Sequence, residues 1–281
     1  MVKYIDLFCG MGSFHYSFQK LGFECVMAAD IATYAKANYE HNFGMQVQGD
    51  ICDIDPSTIE PYDILCAGFP CQPFSQAGLH RGFTDSRGTM FSQVMKFVNT
   101  NTPKIVLLEN VSALLTHDKG NSFATIVGAL ESEGYTVVHK ILKCSDYGIP
   151  QMRKRLFIVG FKNVVVDDVS MFFELAEFEH RTTLKDYLGK NFKKDTAYTI
   201  RCGGKHSAIG DRHNWDGYWV DDKEYRLTIE DALKLQGFNN YKLTGTKKER
   251  WALLGNTIPT ILTRIIGKQI LKHSPTLGMD R

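Results

Sequence analysis

The run YDILCAGFPCQPFSQAG, Tyr62 to Gly78, decides how this chain is read. Its first half is almost continuously apolar, as a strand buried on both faces of a parallel sheet must be. Its second half sets Cys71 between Pro70 and Pro73, and proline is where a strand ends. A thiol is therefore expected at the tip of a rigid loop, off the end of a central strand, where a substrate can reach it. A cysteine placed by packing alone would sit inside the apolar run.

The same alternation extends outward on both sides. KYIDLFC is a short strand that passes through Gly10 and Gly12 into a helical pattern ending near Leu21. FECVMAAD is a second strand, followed by IATYAKANYEHNF with helical periodicity. Beyond Gly78, RGTMFSQVMKFVNTNT has amphipathic spacing and PKIVLLEN is another two-sided apolar strand. GYTVVHKILKCSDYG and RLFIVGF form an expected antiparallel pair at the sheet's far edge. This is a βαβ series, so the expected fold is α/β: a Rossmann-like, doubly wound, mostly parallel sheet. From about Asn163 the alternation gives way to basic, aromatic and glycine-rich text, and helical patterns return in IEDALKLQGF and IPTILTRIIGKQILK. The expected organisation is a catalytic domain over 1–163, a smaller domain over 164–240, and a C-terminal segment over 241–281 whose helix returns to the first domain.

Composition narrows the function class. Across 281 residues, 43% are hydrophobic and 23% charged, which suits a packed enzyme rather than a disordered chain. The N-terminal MVKYIDLFCG has no signal-peptide core, and no apolar run approaches a membrane span. A cytoplasmic protein with no membrane association is expected. Seven cysteines without a CxxC pair argue for reduced thiols, with neither a disulfide framework nor a metal site. The net charge of +2 is uninformative, but between Arg181 and Arg212 eight Lys or Arg face three Asp, an excess able to track phosphates.

Acidic residues stand at successive strand ends. Gly10 and Gly12 let backbone approach a ligand at a helix N-terminus. Asp30 ends the second strand and can accept hydrogen bonds from ribose hydroxyls. Asp50 ends the next candidate strand, where an adenine amino group would suit it. An adenosyl ligand at the carboxyl edge of the sheet follows. Cys71 and Glu109 end two further strands on that edge, and Arg153 and Arg155, two apart in PQMRKR, would share one face of a strand. A thiolate, a carboxylate and guanidinium forks together can attack, protonate and hold a planar heterocycle.

Seven segments in order, DLFCGMGSF, GFPCQPFS, DSRGT, LENV, YGIPQMRKR, RLTIEDALKLQGF and GNTIP, resemble the motif series of the DNA (cytosine-5)-methyltransferases. The stretch they leave uncovered, about Asn163 to Glu224, lies where that family has its variable target-recognition region. The resemblance implies methyl transfer from S-adenosyl-L-methionine, leaving S-adenosyl-L-homocysteine, to carbon 5 of a flipped-out cytosine in double-stranded DNA. Phe8, Gly10, Gly12, Asp30, Ile31, Asp50, Ile51, Phe69, Pro70, Met90 and Asn256 would form the cofactor pocket. Cys71 would be the nucleophile, Glu109 the contact to the ring nitrogen and amine, and Arg155, supported by Arg153, the contact to the carbonyl oxygen. No metal is implied. Ser75, Gln76 and Arg87, with Arg201, Gly203, Gly204, Lys205, Arg212, His213, Asn214 and Trp215, are expected at the DNA. Trp215 could equally anchor the small domain's core.

Cys9, Ser13 and Asp30 depart conservatively from residues common in the family. The related transfer RNA enzymes carry PPCQPF and a Cys-Phe-Thr tripeptide; here Phe69 precedes Pro70 and no such tripeptide occurs, which favours DNA. Retention of Cys71, Glu109, Arg153 and Arg155 argues against a silent DNA-binding relative. A monomer is expected, in a restriction–modification system with a cognate endonuclease, or as an orphan or phage methylase.

Overall fold

The computed structural model describes residues 1–70, 90–165, 169–176, 181–203, 206–275 and 277–279. Six strands form the main sheet: β1 Lys3–Leu7, β2 Glu24–Ala29, β3 Ile64–Ala67, β4 Ile105–Val111, β5 Tyr135–Lys143 and β6 Lys154–Lys162. Their spatial order is β2-β1-β3-β4-β6-β5, with β1, β2, β3 and β4 parallel and β6 antiparallel to both neighbours. The expected late antiparallel pair is thus β5 and β6. Its consequence is positional: the first residues of β6 lie on the edge where β1, β3 and β4 finish.

Alternate residues of the central strands feed two different cores, which is why the strands read as unbroken apolar runs. Tyr4, Cys66, Leu107 and Phe157 face one cluster. Ile5, Leu65, Val106 and Ile158 face the other. The second cluster is covered by α3 (Met90–Asn101) and α4 (Asn121–Ser132), which follow the short helix α1 (Ser13–Phe18) and α2 (Thr33–Phe43) in the chain. In α3 the residues Phe91, Val94, Met95 and Val98 are buried, the i, i+3, i+4, i+7 stripe that its sequence predicts.

The candidate strand ending at Asp50 is reduced to one parallel bridge, Ala29 to Gln48. Two backbone bonds make it, Asp30 N to Gln48 O at 3.2 Å and Gln48 N to Ala28 O at 2.8 Å.

After β6 come the one-turn α5 (Leu184–Leu188), the hairpin of β7 (Gly217–Val220) and β8 (Lys223–Arg226), then α6 (Ile229–Leu235), α7 (Lys247–Asn256) and α8 (Thr260–His273). Thr228 and Thr246 each close a reciprocal capping box at the start of α6 and α7.

The terminal helix and the turn before it pack against α1. Ser17 Oγ donates to Thr260 O at 3.0 Å, and Ser13 Oγ lies 2.7 Å from both Thr257 Oγ1 and Ile258 O. Gly267 lets α8 lie directly on α1: a Cβ there would stand 2.7 Å from Leu21 Cδ1 and 2.9 Å from Phe18 Cε1. Gly267→Ala should therefore lower unfolding free energy by about 1–2 kcal/mol, overpacking outweighing the helical gain of alanine. Urea denaturation reads this directly, and an unchanged or higher midpoint would mean the two helices are not in contact as described.

Candidate active site

A cavity of about 440 Å³ opens at the carboxyl edge of the main sheet. The loop after β1, the loop after β2, the Gly68–Pro70 exit from β3, the end of β4, the start of β6 and the α7–α8 turn form its walls. Of the expected cofactor residues, Phe8, Gly10, Asp30, Ile31, Phe69, Pro70 and Asn256 line it.

The β1 loop is held in a demanding conformation. Phe8 has φ 58° and Gly10 φ 53°, so the chain doubles back through the left-handed region before α1 begins. A side chain bears that conformation at Phe8 only because the surroundings impose it. Part of that restraint is Asp30, whose Oδ2 accepts Gly10 N at 2.9 Å and whose Oδ1 accepts Ala32 N at 2.8 Å. The two loops are thereby fixed to one carboxylate. Each oxygen of an ionised carboxylate has two acceptor directions, so each keeps one for a ligand. Burial pushes the Asp30 pKa up, while the two amides and Lys36 oppose it.

Other expected cofactor residues do not line the cavity. Gly12 is needed for helix packing, because a Cβ there would run into Tyr39 and Phe43. Asp50 Oδ1 accepts Cys52 N at 2.9 Å in a turn, Ile51 is buried in the core, and Met90 begins α3; none of the three lines the cavity.

The floor holds the charged pair. Glu109 Oε1 lies 2.7 Å from Arg155 Nε, and both residues line the cavity. Glu109 sits opposite Phe157, and Arg155 opposite Val111, so the two are diagonal neighbours on one face of the β4–β6 ladder. The contact is an ion pair, and Glu109 Oε1 has no hydrogen bond of good geometry among the described residues. Burial drives the Glu109 pKa up, against the lowering pull of the Arg155 and Arg153 charges, and the balance remains upward. The strand exit passes close to this carboxyl: a Cβ at Gly68 would lie 3.4 Å from Glu109 Oε2, in ordinary contact.

Arg153 takes a different place from the one expected. It precedes β6 and does not share the cavity-facing side with Arg155. Only 1% exposed, it donates from Nη1 to Ile200 O at 2.9 Å and from Nη2 to Gly255 O and Thr257 O, both at 2.8 Å. It clamps three segments together from behind.

Asn110 and Asp6 are among the lining residues not expected from the sequence. Asn110 donates Nδ2 to Phe69 O at 3.0 Å and so holds the backbone two residues before Cys71. Asp6, 1% exposed, lines the cavity with Oδ2 lacking a partner among the described residues, and its pKa is driven far up, chiefly by burial. An acid inside the apolar run YIDLF was the available signal for Asp6. Asn110 stood in LENV beside Glu109.

The residues expected at DNA divide. Arg201, Gly203, Arg212 and His213 are exposed. Asn214, expected at the DNA, and Trp215, expected either there or in the small domain's core, are buried at 6% and 1% exposure. Asn214 closes a local turn, its side chain donating to Gly217 O and accepting Gly217 N, both at 2.9 Å. Trp215 donates Nε1 to Gly203 O at 2.9 Å and packs edge-on against Trp251 at 5.6 Å, so it is the core anchor. Cys71, Ser75, Gln76, Arg87, Gly204 and Lys205 lie outside the described residues.

Sheet order defines the class of fold, a Rossmann-like α/β sheet with an antiparallel strand inserted beside its edge. Solved structures share the whole fold: the Dnmt2 methyltransferase of S. pombe, with TM-score 0.69 and 19% identity over 97% of this chain and 99% of that one, and the Entamoeba histolytica methyltransferase EhMeth, with TM-score 0.72 and 17% identity over 99% of both. Sequence carries the assignment further. The family model for C-5 cytosine-specific DNA methylases matches residues 2–219. The Type II methyltransferase M.HaeII of Haemophilus aegyptius is 50% identical over 96% of this chain and 92% of its own length. M.HhaI of Haemophilus parahaemolyticus is 40% identical over 92% and 90%. The chain belongs to the C-5 cytosine-specific DNA methylase family and is a DNA cytosine methyltransferase.

Asn110→Ala leaves the Phe69 carbonyl unpaired in a buried setting, a loss of about 1–3 kcal/mol in stability. It also loosens the strand exit that leads to Cys71. Methyl transfer at saturating substrates should fall by about 10-fold or more, since small misplacements of reacting groups are costly. A turnover number equal to that of the unaltered enzyme would show that this bond does not position the cavity wall at Phe69.

Proposed function

We propose that the chain transfers the methyl group of S-adenosylmethionine to carbon 5 of a cytosine flipped out of a DNA duplex, through a covalent bond between Cys71 and carbon 6. The observation that carries this reading is the Glu109–Arg155 pair at 2.7 Å, on the wall of the same cavity as Pro70, the residue before Cys71.

The residues present fit the cofactor. The cavity volume is that of a small-molecule site. Ile31 is 73% exposed at its rim beside Asp30, an apolar side chain that an adenine ring would cover. The free acceptor directions of Asp30 suit vicinal ribose hydroxyls, and Phe8 and Gly10 border the same space. The roles of Asp50, Ile51, Met90 and Gly12 toward the cofactor rest on the family resemblance. When bound, S-adenosylmethionine supplies an electrophilic methyl group, and its demethylated form, S-adenosylhomocysteine, leaves.

Carbon 5 of cytosine is a weak nucleophile. Addition of the Cys71 thiolate to carbon 6 converts the ring to an enamine, nucleophilic at carbon 5. That addition places negative charge on the N3–O2 side of the ring. Glu109, whose raised pKa favours retention of a proton, donates to N3 and neutralises it. Arg155, fixed by Glu109, presents its guanidinium to the O2 carbonyl. Once carbon 5 is methylated, loss of its proton and expulsion of the Cys71 thiolate restore the aromatic ring. Carbon 6 is inaccessible within a stack, so the base must leave the duplex first.

Residues 164–240 are proposed as the recognition unit, with Arg201, Arg212 and His213 outward and the 206–217 segment fastened by Asp216, which accepts His206 N at 3.2 Å and pairs with Arg226 at 3.2 Å. Residues 241–281 close the cavity from the other side. The Type II relatives favour a place in a restriction–modification system with a cognate endonuclease. Bisulfite sequencing of DNA from cells expressing the chain tests the whole reading: cytosine methylation within one fixed short sequence is expected, and its absence would overturn it.

Cys71→Ala should abolish methyl transfer to DNA while leaving the affinity for S-adenosylhomocysteine within about twofold; undiminished transfer would remove Cys71 from the mechanism. Glu109→Gln should lower turnover by about 10²–10⁴-fold with little change in DNA affinity. The sign of the pH dependence follows from the raised pKa. Glu109 holds its proton at pH values where an exposed glutamate has lost it, so the chemical step slows as pH rises through that value, and Glu109→Gln loses this limb of the profile. A single-turnover pH series that is identical in both enzymes would assign the proton elsewhere.

A further inference from the structure

The wall of the cavity formed by residues 255–258 is held from two sides. On one, Ser13 at the start of α1 binds Thr257 and the Ile258 carbonyl. On the other stands the exposed recognition segment. Cys202 Sγ lies 3.0 Å from Asn256 Oδ1 and 3.6 Å from Ala252 O, while Asn256 itself lines the cavity. Gly255 has no room for a side chain, since a Cβ would overlap Cys202 N and stand 2.6 Å from Arg201 C. Arg153 joins Ile200 O to Gly255 O and Thr257 O from beneath.

These contacts have a chemical direction. An amide oxygen only accepts, so the thiol of Cys202 is the donor to Asn256 Oδ1. With Oδ1 engaged, the amide is fixed and its NH₂ group is the end left for the cavity. An asparagine at the last turn of a helix would otherwise turn freely between rotamers. We infer that Cys202 is a positioning residue for Asn256, and that the 200–202 to 255–257 junction is a latch by which the DNA-recognition segment sets the shape of the cofactor site. The inference rests on the reading of the cavity as the cofactor site. Partial desolvation raises the Cys202 pKa against the pull of the Arg153 charge, in the direction the donor role requires. Because linkage is reciprocal, a duplex that seats the recognition segment strengthens cofactor binding by the factor by which cofactor strengthens duplex binding.

The test is calorimetric titration of S-adenosylhomocysteine into the full chain as found, and into Cys202→Ala and Cys202→Ser, with and without a duplex bearing the sequence found by bisulfite mapping. Cys202→Ala should weaken binding by about fivefold or more, and Cys202→Ser, whose hydroxyl donates to the same oxygen, should restore it to within about twofold. In steady state Cys202→Ala should raise KM for S-adenosylmethionine while kcat at saturation stays within about twofold. The gain in S-adenosylhomocysteine affinity produced by the duplex should shrink toward one in Cys202→Ala alone. Alanine and serine variants that both match the unaltered enzyme, or that are weakened alike, overturn the latch while leaving the cavity's assignment intact. Failure of the unaltered chain to bind S-adenosylhomocysteine at all would overturn the assignment, and the latch with it.

Discussion

The ion pair between Glu109 and Arg155 exists because one strand runs backwards. In a wholly parallel sheet every strand starts at the edge opposite the site, and an arginine at the start of β6 would be a full strand length from the end of β4. Insertion of β6 antiparallel between β4 and β5 brings Arg155 across from Val111, within diagonal reach of Glu109. The sheet thereby presents a loop from β3, an acid from β4 and a cation from β6 at one edge.

Such a pair is a poor device for stability. Two charges taken out of water lose several kcal/mol of hydration each, and their attraction repays this only with good geometry and full hydrogen bonding. Here Glu109 Oε1 keeps no hydrogen-bond partner among the described residues, and burial already favours its neutral form. An apolar pair would serve the fold equally well. The arrangement makes sense when a planar heterocycle offering a ring nitrogen beside a carbonyl is set against it. The same reasoning applies to Asp6, buried on the cavity wall with Oδ2 lacking a partner among the described residues, and to Phe8, held at positive φ. Local cost gathers around one hollow, and the surrounding structure is arranged to sustain it.

Much of this was legible from residue order. Strands buried on both faces announced themselves as apolar runs, and the residues that follow or end them, Asp30, Glu109 and the Gly68–Pro70 exit, line the cavity as their positions suggested. Arg153 was misread because a two-residue spacing implies a shared face only inside a strand, and β6 begins at Lys154. Asp50 was assigned a strand that is only a single bridge, since edge pairing depends on a neighbour that the local pattern does not describe. Asn214 and Trp215 sit in basic, exposed-looking text, yet one closes a turn with Gly217 and the other meets Trp251, a residue far along the chain.

Sequence by itself determined the order of elements, the two-sided burial of the central strands and the family, because periodicity, turn residues and motif spacing are local properties repeated along the chain. Tertiary structure alone decided which polar groups face the cavity and which are used to hold it. Arg153 became a clamp because three carbonyls from distant segments converge on it, and Cys202 came to rest against Asn256 because Gly255 admits the backbone of Arg201 and Cys202 so closely. Those outcomes depend on contacts between residues tens to hundreds of positions apart, and no local pattern carries them.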